Sequence, residues 1–195
     1  GIDSNKLNLW KFYVDWSDAS KSHFDRTPSQ IPTMSFEFPC EDDQGYVTSC
    51  IPQPGDTQQP LEALGDRLMY RLAYRNFGSR ESLVVNHTVK VGQRTGVRWY
   101  EIENLRTTPS IRQQGTYAPN DGLFRWMGSI AMDKKGDMIM EYSASSKDVF
   151  PSVRYTGRRF DDPLGQMRNE RTLIVGQGSQ INSTKDSVTD RWGDY

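Results

Sequence analysis

The chain has 195 residues, a formal net charge of −1, 35% hydrophobic and 11% aromatic residues, and a mean hydropathy of −0.75. That length suits one sizeable domain or two small ones. The near-neutral charge without a Lys/Arg run argues against a nucleic-acid or anionic-membrane partner; no run of ~18 apolar residues offers a membrane-spanning helix, and the aromatic content is that of an ordered, polar-surfaced chain.

Residues 7–16 alternate: Trp10, Phe12, Val14 and Trp16 fall on one face and Leu7, Leu9, Tyr13 and Asp15 on the other, which predicts a strand. Residues 17–32 are polar and turn-rich. Met34, Phe36 and Phe38 then alternate with polar residues, predicting a second short strand. A polar stretch separates Cys40 from Cys50. Two cysteines closing such a loop predict a disulfide, and with it an oxidising compartment. With only His23 and His87 beside them they make no four-ligand metal set, so no metal site is expected there. Residues 53–60 read as a loop rich in Pro and Gly.

Strands are predicted over 68–74, 82–89, 96–102, 110–117, 129–132, 138–143, 152–157 and 172–176, joined by Gly-, Pro-, Asn- and Asp-containing turns. Gly136 in Asp133-Lys134-Lys135-Gly136-Asp137 supplies the positive φ that a hairpin loop needs. The one helical candidate is 61–71, where Leu61, Leu64, Leu68 and the following Leu72 would share a face; strand or a single turn before Arg67 is favoured.

A segment recurs 58 residues apart. Arg67-Leu68-Met69-Tyr70-Arg71-Leu72-Ala73, with Gly78, aligns with Arg125-Trp126-Met127-Gly128-Ser129-Ile130-Ala131, with Gly136, and a third start is seen at Arg191-Trp192. Repeats with many short strands predict an all-β fold of several four-stranded antiparallel blades, part of one β-propeller. The approximate units are 67–124 and 125–190, with the next opening at 191. They are longer than the usual blade of about 40–50 residues, which long loops between strands would explain.

The blocks Leu68-Met69-Tyr70-Arg71-Leu72-Ala73-Tyr74-Arg75-Asn76-Phe77-Gly78, Arg125-Trp126-Met127-Gly128-Ser129-Ile130-Ala131-Met132-Asp133, Pro151-Ser152-Val153-Arg154-Tyr155-Thr156-Gly157-Arg158 and Arg191-Trp192-Gly193-Asp194-Tyr195 resemble those of an uncharacterised family of secreted, mostly bacterial proteins. The resemblance implies a sialidase-like β-propeller, export, and further blades beyond an incomplete one. Two signatures of true sialidases are missing. Asp133-Lys134-Lys135-Gly136-Asp137 lacks the Ser and Trp of an Asp-box, and there is no Arg-Ile-Pro.

Chemistry is sparsely signalled. Arg67, Arg125 and Arg191 hold equivalent repeat positions, and guanidiniums converging on one axis would bind a carboxylate. The plainer alternative is that each pairs locally, for instance with Asp66 or Asp190. A sialidase also needs a tyrosine polarised by a glutamate. Tyr100-Glu101 and Glu141-Tyr142 are sequence neighbours that point to opposite faces of a strand. Tyr155 and Glu170 would meet only through the fold. No Gly-x-Ser-x-Gly occurs.

Trp10, Trp16, Trp99, Trp126 and Trp192 are all candidates to stack on sugar rings, but such residues more often pack between blades, and Trp99, Trp126 and Trp192 read as core. Asn86 and Asn182 sit in glycosylation acceptor patterns. Asp42-Asp43 and Asp161-Asp162 are the pairs that calcium would use, but solvated surface acids are the expected reading and no cofactor is expected. The leading expectation is therefore a secreted, non-catalytic module that binds a glycan or an extracellular protein. The alternatives are a glycoside hydrolase for acidic sugars and a structural part of an extracellular assembly.

Overall fold

The computed structural model describes residues 4–46, 48–55, 59–181 and 192. Those residues form fourteen strands and one 3-10 turn, with no α-helix among them. Two four-stranded antiparallel sheets dominate. The first is a meander of β7 (Ala73–Asn76), β8 (Glu81–Val91), β9 (Arg94–Glu103) and β10 (Ser110–Tyr117). The second is a meander of β11 (Phe124–Met132), β12 (Met138–Ser145), β13 (Ser152–Arg158) and β14 (Arg171–Ile174). Three two-stranded pairs precede them: β1 (Lys6–Leu9) with β4 (Ser29–Pro32), β2 (Phe12–Tyr13) with β3 (His23–Phe24), and β5 (Ser49–Ile51) with β6 (Leu61–Glu62).

The first meander is covered on both faces, so β8 and β9 are buried almost end to end. Val84, Val97 and Trp99 point to the second meander and pack with Ile130, Met132, Met138, Met140 and Tyr142. Their sequence neighbours Val85 and Tyr100, with Ile102, point the other way and pack on Leu7 and Ile31 of the β1–β4 pair. The second meander is covered on its inner face, whereas on its outer face Ile139 and Glu141 of β12 are exposed. A third cluster joins Ile51, Leu61, Ala63, Leu64 and Met69 to Trp126 and Met127, with Trp192 and both cysteines packed against it.

Close approach of the meanders depends on Gly128. A Cβ there would lie 2.4 Å from Oδ1 of Asn86 and 2.8 Å from Cγ1 of Val97. Just before it, β11 bulges between Trp126 and Ser129, with Met127 at φ 49°. The bulge lets Trp126 and Met127 reach the third cluster, while Ile130 and Met132 remain in the first.

Several expectations change. Residues 34–38 form no strand, although Met34, Phe36 and Phe38 alternate. They cross the first meander as extended chain: the Met34 amide donates to Gln114 Oε1, and the Lys90 amide to the Glu37 carbonyl. Residues 68–72 are irregular and the strand starts at Ala73. The expected strand over 7–16 is divided into β1 and β2. Cys40 and Cys50 are disulfide-bonded. Asn86 lies in the middle of β8 with no exposed surface, so its acceptor pattern is corrected: a glycan has no room there. Asn182 lies outside the described residues, as does Arg191.

Candidate functional site

The long β1–β4 hairpin arm has two unlike ends. Its base is buried through Leu7 and Ile31. Beyond Leu9 the same arm continues as β2 and β3, and there nearly every side chain faces water. Phe12 pairs across the strands with Phe24, and Tyr13 with His23. Trp10 stacks on Phe24, with ring centres 5.4 Å apart and planes 14° from parallel. Tyr13 and His23 lie 5.4 Å apart on the other side of the ribbon. Trp10, Phe12, Tyr13 and Phe24 are each about half exposed or more, and Trp16 is 93% exposed. Trp10, Phe12 and Phe24 make one contiguous exposed aromatic patch, and such a patch marks an interaction site more often than chance, because leaving it in water is unfavourable.

The tip is held by short polar contacts rather than by a core. Oδ1 of Asp15 accepts from the amides of Ser17 and Asp18 and from the Ser17 hydroxyl, and the Asp15 amide donates to Ser22 Oγ. Asp18 caps the 3-10 turn Ala19–Lys21 in the same way through Ser20. These bonds, the Ser17 hydroxyl first, hold the Asp15 carboxyl below the usual carboxylate range. The ribbon is thus shaped before any ligand arrives, which lowers the ordering cost of binding.

The repeated arginines have different fates. Arg67 is exposed and donates two hydrogen bonds to its neighbour Asp66. Arg125 is fully buried, and all five of its N–H groups are used. Nε and Nη2 grip both oxygens of Glu170 at 2.9 and 2.8 Å; Nη1 and Nη2 grip Asp121, and Nη1 also reaches the Leu123 carbonyl. Arg154 adds a second cation to Glu170, and the Tyr142 hydroxyl donates to it at 2.7 Å. The Glu170 amide in turn donates to the Tyr117 hydroxyl.

This cluster follows from the sheet. Arg125, Tyr142 and Arg154 come from adjacent strands at one end of the second meander, on the face toward the first. Burial works to raise the Glu170 carboxyl, but hydrogen bonds from Arg125, Tyr142 and Arg154 outweigh it and hold the pKa below its ordinary value. Burial and the neighbouring Glu170 charge push the Tyr142 phenol up. The two cations are balanced by Glu170 and Asp121. An internal carboxylate therefore occupies the Arg125 fork that an acidic ligand would need.

Glu170 meets Tyr142 and not Tyr155 among the tyrosines that donate to it, and a second pair is exposed Tyr74 donating to Glu81, a carboxylate that Arg106 already grips. Tyr142 is 1% exposed, which closes its hydroxyl to a substrate. Trp99 and Trp126 are core, and Trp192 packs partly buried against the third cluster. Among the described residues no group of three ligating side chains gathers for a metal. Asp42 and Asp162 turn their oxygens on their own loops, Asp162 also on Arg168. Among the described residues no helix is long and apolar enough to cross a membrane. Comparison of the chain with protein-family models, with curated proteins and with solved structures gave no match.

Proposed function

We propose that this protein is an exported, non-catalytic binding module whose aromatic ribbon at Trp10, Phe12, Tyr13, Trp16 and Phe24 takes a glycan. The carrying observation is the stacked, solvent-facing Trp10–Phe24 pair on a preshaped hairpin tip. Flat aromatic faces fit the C–H faces of sugar rings, while Asp15, Asp18, Lys11 and His23 around them offer polar partners for hydroxyl groups. The Cys40–Cys50 disulfide supports export. The non-catalytic reading draws on the burial of Tyr142 and the occupied fork of Arg125.

The two meanders are, on this reading, successive blades of a sialidase-like propeller. Their equal strand order and the packing of edge strand β11 across β8 and β9 support it. So does the repeat. Ala73 pairs with Val84 on the face that the second meander covers; its repeat partner Ala131 pairs with Ile139 on the open outer face, where a next unit would sit.

Affinity electrophoresis against soluble β-glucans, chitosan and uronic-acid polymers tests the glycan assignment. Retardation by at least one polymer is expected, with Trp10→Ala and Trp16→Ala each weakening it about tenfold, since a stacked aromatic contact contributes on the order of 1 kcal/mol or more. Binding unaffected by both substitutions, or none to any polymer, refutes it.

A further inference from the structure

Three arginines are more than nine-tenths buried. Arg125 is gripped by two carboxylates. Arg158 donates to the carbonyls of Asp162, Pro163 and Gln166, which wrap around it. Arg98, 8% exposed in the middle of β9, has neither arrangement. Its Nε donates to Thr116 Oγ1, its Nη1 to the Met34 carbonyl at 3.2 Å, and the guanidinium also hydrogen-bonds the Tyr100 hydroxyl. No carboxylate among the described residues lies within ion-pair distance of it. Arg158 shares its charge among three carbonyl dipoles, whereas Arg98 has one carbonyl and two hydroxyls, and a buried cation so sparsely compensated is costly.

Arg98 is also at the edge of open space. It lines a cleft of about 360 Å³ with Ser35, Phe36, Glu37, Val89, Lys90, Val91 and Thr116. The segment crossing the sheet at 34–38 forms one wall, and β8 and β10 flank the cation: Arg98 sits opposite His87 on one side and Thr116 on the other. His87 brings no charge. Burial first, and Arg98 second, push its pKa down to about 3, and its Nε2 is within 2.9 Å of the Tyr100 hydroxyl. At the rim, Lys90 pairs with Glu37 at 3.0 Å. The cleft therefore holds two cations and one anion, a net charge of +1, with apolar walls at Phe36, Val89 and Val91.

We propose that this cleft binds a small organic carboxylate, its carboxyl group on Arg98 and its apolar body against Phe36, Val89 and Val91. A single negative charge balances the site, and a carboxylate accepts from the part of the Arg98 guanidinium that lines the cleft. A dianionic phosphate would leave an excess negative charge against the Glu37 carboxylate at the rim. The site shares no residue with the aromatic ribbon, so either can exist without the other.

Benzoate is the probe, with benzamide as its uncharged isostere and inorganic phosphate as the alternative anion, each titrated against the whole chain in chloride buffer by calorimetry and thermal shift. The expected result is saturable benzoate binding that raises Tm, with benzamide and phosphate at least tenfold weaker. Arg98→Gln is expected to weaken benzoate at least tenfold, and Lys90→Ala by a few fold. Ser35→Trp, which fills the cleft from an exposed position, tests the site without altering Arg98 should Arg98→Gln fail to fold; it is expected to abolish binding. Phosphate binding as tightly as benzoate overturns the proposal. So does benzamide matching benzoate, full affinity in Ser35→Trp, or no saturable binding at tens of millimolar.

Discussion

Residues 67–72 and 125–130 share a pattern and almost nothing of their surroundings. Arg67 and Leu68 are exposed on an irregular approach to β7; Arg125 and Trp126 are fully buried in β11. Tyr70 stands in solvent, and its counterpart Gly128 is pressed against Asn86 and Val97. Only Met69 and Met127, both in the third cluster, and the glycines Gly78 and Gly136, both at positive φ in the first hairpin of a meander, keep the same role in both copies. A sequence repeat thus marks where a meander begins. Whether its side chains are buried depends on what the rest of the chain lays over them. β5, β6 and their flanks cover the second copy; of the first copy only Met69 reaches that cluster, and Leu68, Tyr70 and Leu72 stay exposed.

Arg125→Ala should break the comparison most severely. It leaves Glu170 and Asp121 without their shared cation, and removing one member of a buried ion pair costs about 3–5 kcal/mol. Arg67→Ala removes an exposed pair with Asp66 and should cost less than about 1 kcal/mol. Urea unfolding of both variants measures the difference. Equal losses would show that the two arginines are equivalent after all.

Gly128→Ala is next. The added methyl has no space between β11 and β8, so a loss of about 1–3 kcal/mol is expected, whereas Tyr70→Ala at the equivalent site should cost under about 1 kcal/mol. A neutral Gly128→Ala would mean that the meanders do not pack as closely as these contacts require.

A smaller, graded effect separates the meanders by pH. His87 of the first meander has a folded pKa of about 3, depressed by burial, against about 6.5 when unfolded. Between those values the unfolded chain binds a proton that the folded chain does not. Its contribution is therefore complete above about pH 6.5 and is lost on acidification, by about 1.4 kcal/mol per pH unit. Stability should be lower by about 2 kcal/mol at pH 5 than at pH 7. His87→Gln should flatten this slope. Glu170 of the second meander, with its pKa held down, adds its own loss only below its ordinary value of about 4.3. A pH profile that is flat from 7 to 5 in the unsubstituted protein would remove the buried neutral histidine from the account.

Much of the strand content was legible because alternation and turn residues are local. The strand expected over 110–117 is β10 itself, and 82–89, 96–102 and 138–143 lie within β8, β9 and β12. The disulfide was legible from spacing and loop composition. Alternation misled at 34–38, where the chain has the pattern of a strand but no neighbouring strand with which to pair. The aromatic ribbon was partly legible: Trp10 and Trp16 were among the five tryptophans that were candidate stackers, but Phe24 became the partner of Trp10 and Phe12 only when β2 and β3 paired.

The amino-acid sequence by itself determined an all-β chain, the positions of its hairpins, the linked cysteines and the two-fold recurrence of a meander, since all of these rest on neighbours a few residues apart or on composition. The tertiary structure decided which side chains are charged partners and which are free to act. Arg67, Arg98 and Arg125 are chemically identical, yet one is solvated, one is buried without an anion and one is locked by two. Burial and partner distance are set by residues tens of positions away, and local sequence carries no record of them.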